Sequence, residues 1–270
     1  MAAGSGLGML TFLFASRRRA ISKANITLCF SDKTKAQQNQ MVRRSFIELG
    51  RGSIETAWAW YAKQSMFTQR LHVMGQPLIE QAKKSGRGIL LIGGHFSLLD
   101  AIAPCVHPST GDLVITYRPP PSKALDQVIR ERRGRYGVSL NVRSTRQIVK
   151  QLHAGAVVWF SPDQDMGHRG CVFAPFLGQP ASTTTSVAKM CRLTNAIPLF
   201  IHLHRANSEY ILEFKSFPPE YPQEDEVANA TTLNTLIENA ILKSPDQYMW
   251  IHRRFKTTSD GSRQTLYQSS

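Results

Sequence analysis

The sequence has few cysteines and few acids. Its four cysteines, Cys29, Cys105, Cys171 and Cys191, form no C-x-x-C pair, which excludes a zinc ribbon or a dense disulfide framework and fits reduced cytosolic thiols. No H-E-x-x-H or similar histidine set occurs, so the spacing offers no metal site. No apolar run approaches the roughly 20 residues a membrane-spanning helix needs. Internal repeats, low-complexity tracts and interdomain linkers are also absent. Acidic residues number 19 against 33 lysines and arginines, a net charge of +14. An excess of that size calls for an anionic partner: nucleic acid, lipid headgroups or a phosphorylated substrate. There is no RNA-recognition signature, helix-turn-helix or zinc finger, and the aromatics do not interleave with basic residues, so nucleic acid has only the charge in its favour. A membrane-surface scaffold without catalysis is a third reading. With 270 residues and 42% hydrophobic content the chain can build one sizeable core.

What is present centres on Gly88–Asp100, G-I-L-L-I-G-G-H-F-S-L-L-D. Ile89–Ile92 reads as a strand buried on both faces of a mostly parallel sheet. Gly93 and Gly94 place His95 just past its carboxyl end, where open α/β sheets bind ligands, and give the loop backbone freedom and room for close approach. Five residues on a continuous helix leave two side chains about 140° apart, so His95 and Asp100 meet only if the chain turns between them. A helix starting near Ser97 provides that turn, with Asp100 fixing the imidazole so that His95 takes a proton from a hydroxyl. The competing reading makes Ser97–Asp100 a capping box and His95 an ordinary turn histidine.

The N-terminal apolar stretch, Gly6–Ala15, precedes Arg17-Arg18-Arg19. It is expected to associate with one leaflet or to be the tail of a longer span, with the arginines at the cytoplasmic surface. Residues 33 to about 70 read as largely helical, with Trp58, Trp60 and Tyr61 assigned equally to core or membrane interface. The division expected is a membrane-proximal helical segment over 1–70 and one α/β unit over 71–270. From Gly88, strands at Ile89–Ile92, Leu113–Tyr117, Ala156–Phe160 and Ile197–His202 alternate with helices near Ser97–Cys105, Lys123–Arg133, Thr145–His153 and Thr184–Leu193. Tyr210–Phe214 reads as a further strand and Thr231–Leu242 as a late helix. Alternation at these lengths predicts an α/β fold, a mostly parallel central sheet flanked by helices. Arg118, leaving the second strand in Y-R-P-P-P, and Arg130, Arg132, Arg133 and Arg135 at the end of the next helix are candidate phosphate or carboxylate clamps, or else a solvated face. Asp163, in S-P-D-Q-D after the third strand, reads as holding an arginine or a substrate hydroxyl; two acids of a D-x-D loop make a poor metal site.

These blocks, with R-R-R-A-I-S-K-A-N-I-T-L-C-F, R-R-G-R-Y-G, G-C-V-F-A-P-F-L-G-Q-P-A-S-T-T-T and P-D-Q-Y-M-W-I-H-R-R-F-K-T, resemble in order those of the bacterial lipid A biosynthesis acyltransferases, from about Leu7 to Thr257. The resemblance implies the α/β fold of glycerolipid acyltransferases and an enzyme on the cytoplasmic face of the bacterial inner membrane. It implies acyl transfer from acyl-carrier protein to a hydroxyl on an acyl chain of a Kdo-bearing lipid A precursor, with no metal or diffusible cofactor. The family's H-x4-D/E pair falls on His95 and Asp100, its functional arginine on or next to Arg133, and its PDxD-like aspartate on Asp163. Asp100 stands where relatives often have Glu, and Ser31 where a proline is common. In this reading His95 is the base, Asp100 orients it, and Arg133 with its neighbours binds phosphates or Kdo carboxylates. The oxyanion donors are backbone N–H groups near Gly93–Phe96 or Arg118. The competing acceptor on the same scaffold is a phosphatidylinositol mannoside or a lysophospholipid.

Overall fold

The computed structural model describes residues 1–260 and 265–267. Four helices come first: α1 (Ala2–Phe14), α2 (Ser16–Cys29), α3 (Lys35–Tyr61) and the single turn α4 (Ser65–Thr68). There follow β1 (Leu71–Met74), α5 (Gln76–Lys84), β2 (Ile89–Ile92), α6 (Ile102–Thr110), β3 (Leu113–Tyr117), α7 (Lys123–Arg133), β4 (Gly137–Asn141), α8 (Thr145–His153) and β5 (Val157–Phe160). The chain continues through β6 (Cys171–Phe176), β7 (Gln179–Thr184), α9 (Ser186–Thr194), β8 (Ile197–Ala206), β9 (Glu209–Ser216) and α10 (Glu226–Lys243). Local chemistry sets several of these boundaries. Thr34 and Gln37 close a capping box on α3, Ser122 accepts from the Leu125 N–H to start α7, and Asp225 accepts from two N–H groups to start α10.

Seven strands form one sheet in the order β1-β9-β8-β2-β5-β3-β4. Neighbours β8, β2, β5, β3 and β4 run parallel, and β9 pairs antiparallel with β8. The expected α/β architecture is therefore present. β6 and β7 make a separate antiparallel hairpin. The β2 residues alternate between two cores: Leu90 and Ile92 join Phe160, Phe200, Ile237 and Trp250 on one face, while Ile89 and Leu91 join Trp159, Ile102, Val106 and Leu212 on the other. Period-two alternation into two covered faces is why this strand reads as an unbroken apolar run. Ile26, Phe30, Val42 and Phe46 of α2 and α3 belong to the first of these cores.

The helix read over Ser97–Cys105 instead begins at Ile102, and residues 97–101 are turns. The N-terminal apolar stretch becomes α1, laid along α3. Gly4 and Gly8 face Gly50, where an added Cβ on Gly50 would lie 2.3 Å from both the Gly4 carbonyl oxygen and the Gly8 nitrogen. Glycine is required there by backbone-to-backbone approach. The opposite edge of α1 exposes Leu7, Leu10, Leu13 and Phe14, spaced three, four and seven apart. Among the described residues no helix is long and apolar enough to cross a membrane. Arg18 donates to the Ile251 carbonyl and Arg19 to those of Phe12 and Leu13, so two of the three arginines hold protein rather than standing free. Trp58 and Trp60 pack against the second core, whereas Tyr61 is 62% exposed beneath the Arg132 guanidinium.

Candidate active site

Because β5 lies between β2 and β3, the chain leaves three sheet positions side by side at one edge: His95 after β2, Arg118 after β3 and Asp163 after β5. His95 and Asp163 meet there. One carboxylate oxygen of Asp163 accepts the His95 backbone N–H at 2.8 Å, and the other contacts His95 Nδ1 in a short hydrogen bond. The Asp163 side chain is 1% exposed and that of His95 17%. Burial alone would disfavour the imidazolium, but the adjacent carboxylate and its hydrogen bond prevail and raise the His95 pKa. Burial likewise opposes the Asp163 charge, and His95 holds its carboxyl well below the usual carboxylate range.

Asp100 does not touch His95. Its Oδ1 accepts from Arg133 Nε at 2.8 Å, with both side chains about one-eighth exposed (13% and 12%). The missing first turn of helix explains the correction: without it Asp100 turns toward α7, and the imidazole takes its partner from β5. Gly93 and Gly94 also differ from expectation, since neither has a positive φ. Gly94 is small because a Cβ would lie 2.9 Å from the Phe96 ring and 3.4 Å from the Asp163 carboxylate. Two of the backbone N–H groups expected as oxyanion donors are engaged: Gly93 donates to Phe160 and His95 to Asp163. Arg135 is a structural clamp, donating to the carbonyls of Trp60 and Ala62 at the end of α3. In the D-x-D loop, Asp165 accepts from the Gly167 N–H and from the N–H and hydroxyl of Thr257, so only Asp163 faces the histidine.

His95 opens onto a cavity of about 500 Å³. Leu99, Ile129, Val142, Trp159, Phe160 and Met249 give it an apolar wall, and Arg118, Arg133, Arg143 and Arg169 give it a cationic one. Among the described residues the side chains of Arg118, Arg143 and Arg169 have no ion-pair partner, so their charge is available to an anion. The sequence reading missed Arg143 and Arg169. Neither sits in an arginine cluster, and both reach the cavity from loops whose folding no local pattern foretells. It also passed over His252, whose ring lies edge-on to His95 at 5.5 Å between centroids. Burial, reinforced by the His95 charge, pushes the His252 pKa down to about 4, leaving it neutral. Trp159 Nε1 is buried without a hydrogen-bond partner.

Residues 247–252 fasten this loop. Met249 N–H donates to the His95 carbonyl while Gln247 accepts from Ser97, and Asn25 of α2 donates to the carbonyls of Trp250 and His252 at 2.7 Å each.

Comparison with known proteins gives the chain's family. The family model for bacterial lipid A biosynthesis acyltransferase matches residues 1–257. The lipid A biosynthesis lauroyltransferase of Escherichia coli (strain K12) is 33% identical over 265 residues, covering 96% of this chain and 85% of that protein. The lipid A biosynthesis palmitoleoyltransferase of the same strain is 32% identical over 262 residues, with coverages of 96% and 85%. A lipid A biosynthesis acyltransferase of Haemophilus influenzae is 30% identical over 275 residues, covering 98% of this chain and 86% of that protein. Among solved structures, the 1-acyl-sn-glycerophosphate acyltransferase PlsC of Thermotoga maritima superposes with a TM-score of 0.42 at 14% identity, over 90% of this chain and 96% of that one.

Proposed function

The chain belongs to the bacterial lipid A biosynthesis acyltransferases, and on that premise we propose that it performs a late acylation of a Kdo-bearing lipid A precursor with acyl-carrier protein as acyl donor. The observation that carries the mechanism is the His95–Asp163 pair at the mouth of a cavity that is apolar on one wall and cationic on the other. Asp163 accepts a hydrogen bond from Nδ1–H, which leaves the Nε2 lone pair to face the acceptor hydroxyl. As the hydroxyl oxygen attacks the thioester carbon, its proton passes to Nε2. The tetrahedral intermediate then expels the carrier thiolate, and the imidazolium returns the proton to sulfur. Aspartate keeps the ring oriented and favours the imidazolium throughout.

Of the expected oxyanion donors, Arg118 retains its full donor capacity. Arg133, braced by Asp100, together with Arg118, Arg143 and Arg169 would receive the precursor's phosphates or carboxylates, while the apolar wall accepts acyl chain. The exposed leucine edge of α1 suits contact with the cytoplasmic surface of the inner membrane.

The test is acyl transfer from a panel of acyl-carrier-protein thioesters to a Kdo-bearing lipid A precursor, read by mass spectrometry. The wild type is expected to add one acyl mass, which identifies the chain. His95→Ala is expected to lose about 10²–10⁴-fold in rate. Transfer that ignores lipid A precursors but modifies another lipid would overturn the acceptor. Transfer undiminished in His95→Ala would overturn the mechanism.

A further inference from the structure

Beneath the loop that carries His95, the pairing of β8 with β9 gathers two histidines and a glutamate. His202 and His204 alternate on one face of β8, and Glu213 is the direct cross-strand partner of His202. The two imidazoles stack with centroids 4.7 Å apart and planes 16° from parallel, and the Phe96 ring lies 4.6 Å from that of His202. His202 is 2% exposed, His204 9% and Glu213 3%, and one donor atom from each lies within 4.8 Å of the other two.

Hydrogen bonding leaves this cluster unfinished. The Ser244 hydroxyl lies 3.3 Å from the Ala240 carbonyl and 3.1 Å from His202 Nε2. The Ser244 hydroxyl thus lies between the Ala240 carbonyl, which also accepts the Ser244 N–H, and the His202 ring nitrogen. The Nδ1 atom of His202 is buried with no hydrogen-bond partner. His204 Nδ1 is likewise buried and unpartnered. Buried polar atoms without partners are rare in folded proteins and call for a missing one. On the other side, Glu213 is held by Lys243, with Lys215 Nζ 3.7 Å from its second oxygen. The side chain of Lys243 is 46% exposed and that of Lys215 38%, so both can turn out to solvent.

We propose that His202, His204 and Glu213 form a binding site for a zinc-class divalent cation, with Lys243 occupying the carboxylate when the metal is absent. Two neutral imidazole nitrogens and a carboxylate are a common zinc donor set, leaving a fourth position for water. Ser244 holds the His202 ring by its other nitrogen, the outer support that metal-binding histidines usually have. The site contacts the back of Phe96 rather than the reacting atoms, so a bound ion braces the His95 loop. It does not depend on the acceptor or donor proposed above. The histidines stand as I-H-L-H in the sequence, but their glutamate arrives only through strand pairing, which is why spacing alone shows no ligand set.

The full chain, stripped with a chelator, is titrated with zinc against a chromophoric competitor. One saturable equivalent is expected, and His204→Ala should abolish it. Ser244→Ala should weaken it by about 10–100-fold. Lys243→Gln, which removes the competing cation at an exposed position, should tighten it by tenfold or more. Absence of a saturable equivalent in the wild type, an equivalent that survives His204→Ala, or an unchanged affinity in Lys243→Gln each overturns the site. If His204→Ala does not fold by circular dichroism, the lysine variant decides.

Discussion

His95 must be neutral to act as a base, yet Asp163 raises its pKa. The transfer rate is therefore expected to climb with pH along a limb lying above the ordinary histidine value of 6.5. Asp163→Asn removes the charge responsible, so the limb should move to lower pH while the plateau rate falls by about 10²–10⁴-fold. Stability runs the other way. The raised His95 pKa contributes stability that is present below 6.5 and lost as pH rises through the folded value, whereas the lowered Asp163 pKa contributes stability that is lost in acid. Asp100 acts on a different group. Asp100→Ala leaves Arg133 without its partly buried partner, which should cost about 1–3 kcal/mol in denaturant unfolding and weaken precursor binding, with the pH limb unmoved. Measuring rate against pH in both variants separates the two acids. The sequence made His95, Asp100, Arg133 and Asp163 legible as polar residues at strand exits and a helix end. It did not reveal their pairing, because Asp163 reaches His95 from 68 residues away and the direction of Asp100 depended on a helix start misplaced by five residues.

At the scale of elements, buried parallel strands and amphipathic helices were the legible parts. β2, β3, α7 and α8 fall where apolar runs and periodicity place them. β1, β4 and the β6–β7 hairpin were missed. β4 opens on Gly137 and reads G-V-S-L-N, with too few apolar residues to declare a strand, and its pairing with β3 supplies what its own side chains do not. The hairpin contains prolines at 175 and 180, paired across the two strands, which is a composition that argues against a sheet interior. α1 has the apolar character its sequence shows, and its glycines, which the apolar run did not flag, pack on α3. Gly50→Leu forces a side chain into backbone and should destabilise the α1–α3 contact by about 1–3 kcal/mol. Limited proteolysis would show it as faster cutting between α1 and α2 in the variant.

For the whole molecule, the net charge of +14 and the leucine edge of α1 would make two separable contributions to the proposed membrane affinity. Replacing Leu10 and Phe14 together by Ser should lower binding to anionic vesicles by at least about tenfold at any salt concentration. The charge contribution should instead fade as ionic strength rises, and sedimentation with vesicles at low and high salt measures both. The fastening of the His95 loop by residues 247–252 has a bearing on the order in which the protein is made. A nascent chain extended only through α10 already contains His95, Asp163 and the cavity arginines, but the strand-like bridge from Met249, the His252 ring and the Asn25 clasp have not yet emerged. The histidine is therefore set in place by residues made after α10, so that its loop is complete only once residues 247–252 have been translated.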